Sequence, residues 1–147
     1  MSVSAVRVSL QPAHGYIPFV VIGAGLVGTW AGIKVGVARK QYNIPYPQMY
    51  AEKKEKNAKE FNCVQRAHQN VLEHLPLFYA MLATSSIYRP TIAAAAGVVR
   101  LAGFVMYVKG YSSGDPGKRR KGNFGYLGML VMLGLSLEAA LRLLGYL

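Results

Sequence analysis

The stretch Phe61-Asn62-Cys63-Val64-Gln65-Arg66-Ala67-His68-Gln69-Asn70-Val71-Leu72-Glu73-His74 runs straight into an apolar segment from Leu75 to Ile87. Read as one helix, it is long enough to cross a bilayer, yet Asn62, Gln65, Arg66, His68, Gln69, Asn70, Glu73 and His74 crowd its first half. An ionised side chain at bilayer depth costs several kcal/mol unless a partner or a wet cavity receives it, so such residues are by default candidates for a functional site.

The surrounding composition sets the medium. Of 147 residues, 52% are hydrophobic and 16% charged, and the mean hydropathy is +0.22, more apolar surface than one soluble core of this length needs. A single cysteine, Cys63, excludes an internal disulfide. One thiol and three scattered histidines assemble no metal site.

Four stretches reach the roughly 20 residues that a membrane helix requires: about 16–37, 61–87, 91–111 and 124–146. The first holds one charge, Lys34, whose stem is expected to reach the interface. It is too long for the core of a secretory signal and is followed directly by Arg39 and Lys40, so it is read as retained. The expected fold is an all-α membrane protein, a single bundle of four transmembrane helices. Small residues, Gly23, Ala24, Gly25, Gly28 and Gly32 in the first span and Ala93 to Ala96 in the third, suit close helix packing.

Charge gives the orientation. Six basic residues in loop one (Arg39, Lys40, Lys53, Lys54, Lys56, Lys59) and the run Lys118-Arg119-Arg120-Lys121 in loop three share one face, against Arg7, Arg89 and Arg142 on or near the other. The positive-inside rule puts loops one and three in the cytosol. The formal net charge of +11 is therefore explained by topology and anionic membrane lipids; no nucleic-acid-binding motif accompanies it.

Spacing sharpens the polar helix. Arg66, Asn70 and Glu73, at i, i+4 and i+7, fall in a sector about 60° wide, with Asn62 and Leu77 extending the stripe. A cation, an amide and a carboxylate in a row suit a zwitterionic ligand that has both carboxylate and ammonium groups. Equally open on spacing alone is an internal network in which Glu73 neutralises Arg100, at similar depth on the third helix. Glu138 and Arg142, also at i and i+4, are expected to pair. Pro76 is expected to bend the span where its polar half ends.

Three strings carry a resemblance: Tyr46-Pro47-Gln48-Met49-Tyr50; Phe61 through Asn70 with Glu73 and Pro76; and Gly110-Tyr111-Ser112-Ser113-Gly114-Asp115-Pro116 before the basic run. From about Arg39 to Phe124 the chain resembles the membrane-associated eicosanoid and glutathione metabolism proteins. The resemblance implies a homotrimer of four-helix subunits with glutathione, as co-substrate, bound between neighbours near the cytosolic face. Carried over by position, Arg66, Asn70 and Glu73 match glutathione contacts, as do His68 and His74, Tyr107 and Tyr111, and Arg39 or Lys40. The arginine that holds the thiolate falls in the basic run, where strict spacing from Tyr107 lands on Lys118 with Arg119 and Arg120 beside it. Two positions depart from the family pattern: Phe104 replaces an arginine, with Arg100 one turn earlier, and Lys109 replaces an aromatic.

The implied chemistry is glutathione conjugation to lipophilic electrophiles and reduction of lipid hydroperoxides. A thiol with a pKa near 8.5 is only a few per cent ionised at pH 7. A guanidinium that lowers that pKa while keeping its own charge makes Arg119 a better candidate than Lys118. The expected location is the endoplasmic reticulum membrane, with the mitochondrial outer membrane as the alternative. Phe104 leaves room for a second class, a non-catalytic lipid-binding or accessory subunit of the same fold. A transporter, which would line a path through the whole bilayer, ranks last because the polar residues gather in one half.

Overall fold

A computed structural model describes residues 8–147 of the chain. Four helices carry the fold: α1, Tyr16–Tyr42; α2, Ala58–Ser85; α3, Pro90–Tyr111; and α4, Gly125–Leu143. Short 3-10 helices at Pro12–Gly15 and Pro116–Gly122 lead into α1 and α4, and no strand occurs among the described residues.

Local chemistry sets the helix ends. Helix α1 continues past the expected 37 because nothing breaks it until Asn43, which takes the left-handed conformation (φ 56°) and returns its N–H to the Arg39 carbonyl; Asn tolerates that region better than most residues. Asn57, also left-handed (φ 62°), precedes α2, which therefore begins three residues before the expected 61. It ends at Ser85 rather than 87. Pro90 opens α3, where a missing N–H costs nothing. Helix α4 is shorter than the expected 124–146, giving way after Leu143 to a turn that leads into Gly145 at φ 77°.

The four-residue connection 86–89 closes one end of the bundle. Connections 43–57 and 112–124 lie together at the other, the basic end, where Gly114 backs onto Glu60 at the start of α2. Three helical stretches, Pro12–Tyr42, Pro90–Tyr111 and Gly125–Leu143, are long and apolar enough to cross a membrane. Four were expected to qualify. Helix α2 has the length, but its polar half keeps it out by composition; it joins the bundle by packing. Val20, Ala24, Phe78, Leu82, Ala94, Ala96 and Met132 form a core toward the short connection. Ala31, Ala67, Val71, Phe104 and Val108 fill the middle, and Val35, Ala38, Ile44, Ala51, Phe61 and Val64 fill the basic end.

The tightest packing is backbone on backbone between α3 and the segment leading into α4. A Cβ added to Gly103 would lie 2.9 Å from the Gly122 carbonyl oxygen and against the Gly125 Cα; one added to Gly128 would strike the Ala96 carbonyl, and one added to Gly110 the Lys118 carbonyl. Ala96, Gly103 and Gly110 recur every seven residues, one face of α3. The small residues expected to matter in α1 behave unevenly. A Cβ at Gly23 would meet Leu101 at 3.0 Å and one at Gly32 would meet His68 at 3.4 Å, while Gly25 faces nothing within 4 Å. Helical period alone could not tell Gly25, on an unpacked face, from its neighbours.

Two expectations about charge fare differently. Glu138 does pair with Arg142 (2.9 Å) and additionally with Arg89 (3.0 Å). Glu73 does not neutralise Arg100: it pairs with Arg66 at 2.7 Å. Arg100, only 3% exposed, instead lies between two rings, 4.1 Å from the Phe104 centroid and 4.6 Å from that of Tyr126. Phe104 thus serves as a partner for the displaced arginine.

Gly103→Ala is expected to cost about 1–3 kcal/mol by overpacking, seen as a lower thermal midpoint of the purified protein in detergent. Gly25→Ala is expected to leave the midpoint unchanged or slightly raised, because Ala is the better helix former.

Candidate functional site

The α2 stripe survives as a face but not as a pocket. Arg66 and Glu73 bridge two turns along the helix surface, Nη1 donating to Oε1 at 2.7 Å, each side chain 42% exposed. The residues of α2 that pack toward α1, Val64, His68, Val71 and Leu75, stand roughly 140–200° around the helix from Arg66. The stripe therefore turns away from α1.

The third helix and the basic segment complete this face. Tyr107 and Tyr111, one turn apart, meet edge to face with centroids 5.7 Å apart, and the Arg119 guanidinium carbon lies 5.6 Å from the Tyr111 centroid. Tyr107 is within electrostatic reach of Arg66, Arg119 and Tyr126, and Arg66 is also close to Tyr50. The fold thus gathers Arg66, Glu73, Tyr107, Tyr111 and Arg119 into one neighbourhood. Gly110 makes this possible: without a side chain at 110, the chain at Lys118 and Arg119 lies directly on α3.

Of the three candidates in the basic run, Lys118, Arg119 and Arg120, Arg119 alone is held over an α3 ring. Lys118 faces Asp115 at 3.9 Å, Arg120 is exposed, and both Arg119 and Arg120 border a shallow cleft of about 260 Å³ with Pro116 and Gly117. The Asp115 carboxylate caps this 3-10 helix by accepting from the Gly117 N–H at 2.8 Å.

Other predicted contacts are placed elsewhere. His68 packs against Gly32 of α1, on the side of α2 opposite Arg66. His74 donates from Nδ1 to the Asn70 carbonyl oxygen at 2.8 Å and meets the Phe104 ring edge-on at 6.4 Å, so it faces α3. Arg39, 9% exposed, gives Nη1 to the Gln48 carbonyl at 2.6 Å and stacks on Tyr46 (4.4 Å) and Phe61 (5.2 Å). It organises loop one while lining, with Lys40, Ile33, Val37 and Tyr46, a cleft of about 510 Å³. Asn62, expected on the stripe, spends its amide on Ala51, accepting from its N–H at 2.8 Å and donating to its carbonyl at 2.9 Å. No group able to hold a metal ion occurs among the described residues.

Sequence reasoning missed the loop-organising work of Arg39, Gln48 and Asn62, which depends on partners many residues away. It also missed Gly103 and Gly110, although their seven-residue spacing was a readable signal.

Three helices long and apolar enough to cross a membrane, packed with a fourth that carries a polar, partly charged face, define an integral membrane bundle. Residues 17–141 match the MAPEG family, the membrane-associated proteins of eicosanoid and glutathione metabolism, and the chain belongs to that family. It is also similar to the uncharacterized protein sll1147 of Synechocystis sp., 39% identical over 80 residues. That match covers 54% of this chain and 54% of the relative, so the chain spans about half the length of the curated protein it matches.

Asn62→Ala removes two hydrogen bonds to a part-buried backbone and is expected to cost about 1–3 kcal/mol. Limited proteolysis should then cut within 43–57 markedly faster than in the unaltered chain.

Proposed function

We propose that this protein is a membrane-bound glutathione transferase with glutathione peroxidase activity toward lipid hydroperoxides. The observation that carries the reading is Arg119 held over Tyr111, with Tyr107 within electrostatic reach of both Arg119 and Arg66. A permanent cation there favours the ionised form of a nearby thiol, which is the nucleophile. Arg66 suits a ligand carboxylate as a two-pronged donor, and Glu73 an ammonium. Glutathione would exchange the Arg66–Glu73 pair for its own charges. The stripe and the Arg39–Lys40 cleft lie on different sides of one chain, so a ligand using both needs a neighbouring copy, in keeping with a homotrimer.

In conjugation, the thiolate sulfur forms a bond to the electrophilic carbon while the leaving group departs with its electron pair. With a lipid hydroperoxide, sulfur attacks the terminal oxygen, the O–O bond breaks and the lipid alkoxide takes a proton. A second glutathione then resolves the sulfenic acid to disulfide and water. The lipophilic electrophile arrives from the bilayer, the reason to house the reaction there. The basic end faces the cytosol in this reading, and the endoplasmic reticulum is the proposed membrane, with the mitochondrial outer membrane as the alternative.

A second reading, a non-catalytic lipid-binding or accessory subunit, draws on one observation: Arg66 and Glu73 already satisfy each other within the chain. The two are separated by ultraviolet absorbance of the thiolate in the presence of millimolar glutathione. Catalysis predicts a thiolate band. In Arg119→Ala, binding should persist within about threefold while the band and turnover fall at least tenfold, about 1.4 kcal/mol; Glu73→Gln should weaken binding itself. Absence of saturable glutathione binding would favour the accessory role.

A further inference from the structure

Helix α1 presents a second stripe whose polar members the proposed reaction does not use. Trp30, Lys34, Val37 and Gln41 stand at i, i+4, i+7 and i+11, again within a sector about 60° wide. With Ile33, Ala38, Tyr42, Val64 and Ser112 they enclose a cleft of about 300 Å³ at the basic end. That is at the lower limit of ligand-sized sites.

Three features of this cleft call for an anion. The Lys34 ammonium lies 5.5 Å from the centroid of the Trp30 ring, one turn back along α1. Among the described residues no carboxylate pairs with Lys34, and none lines the cleft. Lys34 is half-buried, and a ring face contributes only about 0.5–2 kcal/mol to a cation, which leaves its ammonium able to take an anion in the cleft. Ser112 also lines the cleft, and its Oγ is buried without a hydrogen-bond partner, a state rare enough in native proteins to need a cause. The exposed Ile33 and Val37 supply an apolar flank, and Gln41 and Tyr42 a polar rim.

We propose that this cleft binds the headgroup of an acidic phospholipid. Its phosphate takes Lys34 and the Ser112 hydroxyl, and its acyl chains run down the Ile33–Val37 flank toward the bilayer centre. The occupant is a lipid rather than a free anion because polar donors and a lipid-facing apolar surface meet in one cleft at the membrane boundary, where anionic headgroups concentrate. Lys34 and Ser112 are not among the proposed glutathione contacts, while Ile33 and Val37 border both this cleft and the Arg39–Lys40 cleft.

Trp30 is the chain's one tryptophan, so its emission reports this cleft directly. Detergent-purified full-length protein is titrated with dioctanoyl phosphatidylglycerol, dioctanoyl phosphatidylcholine or sodium phosphate, and half-saturation is read rather than amplitude. Phosphatidylglycerol should saturate at a concentration at least tenfold below phosphatidylcholine, with phosphate silent. Lys34→Gln should abolish that preference, Lys34→Arg retain it, and Ser112→Ala weaken it severalfold, with circular dichroism and size-exclusion profiles unchanged. Equal response to both lipids, an equal response to phosphate alone, or an unaltered preference in Lys34→Gln would each overturn the proposal. Should Lys34→Gln fail to fold, the Lys34→Arg and Ser112→Ala pair decides: loss of preference in the first, or no change in the second, overturns it as well.

Discussion

Glycine against glycine along the seam between α3 and α4 is the constraint on which the rest depends. Lipid tails are as apolar as leucine, so membrane helices associate by fitting closely rather than by fleeing the solvent. Gly103, Gly122, Gly125 and Gly128 bring backbones into contact at the foot of α4. The same face continues to Gly110, where the basic 3-10 helix lies down on α3. Were these positions larger, Arg119 would stand off from Tyr111, and the Tyr107–Tyr111 ring pair would lose its neighbouring cation.

The arrangement of Arg100 shows how the chain tolerates a charge inside the bundle. Its guanidinium is buried between Phe104 and Tyr126, and its Nε finds no hydrogen-bond partner. Ring faces supply part of what water would have given. Glu73 remains with Arg66 on the outer face, so the two charges that similar depth suggested as partners are separated by the direction in which each helix faces.

Much of the architecture was legible because lipid makes hydropathy decisive. Four helical stretches, two long connections at the basic end and the i, i+4, i+7 stripe all follow from local pattern. The gathering of Arg66, Tyr107, Tyr111 and Arg119 was legible only through the family resemblance, since spacing from Tyr107 pointed first to Lys118 and could not foresee the tight 3-10 path after Asp115. What stayed hidden depends on distant partners. Asn62 belongs to Ala51, Arg39 to the Gln48 carbonyl and His68 to Gly32. A helix period tells where a side chain points, not what the loop above it offers.

The Arg66–Glu73 bridge has a consequence for biosynthesis. A lone arginine leaving the insertion machinery would face hydrocarbon at the full cost of an unpaired ion. Because α2 carries both members of the pair on one surface, the newborn chain shows the bilayer a closed dipole instead. The pair is complete within one chain, so insertion need not wait for an outside partner.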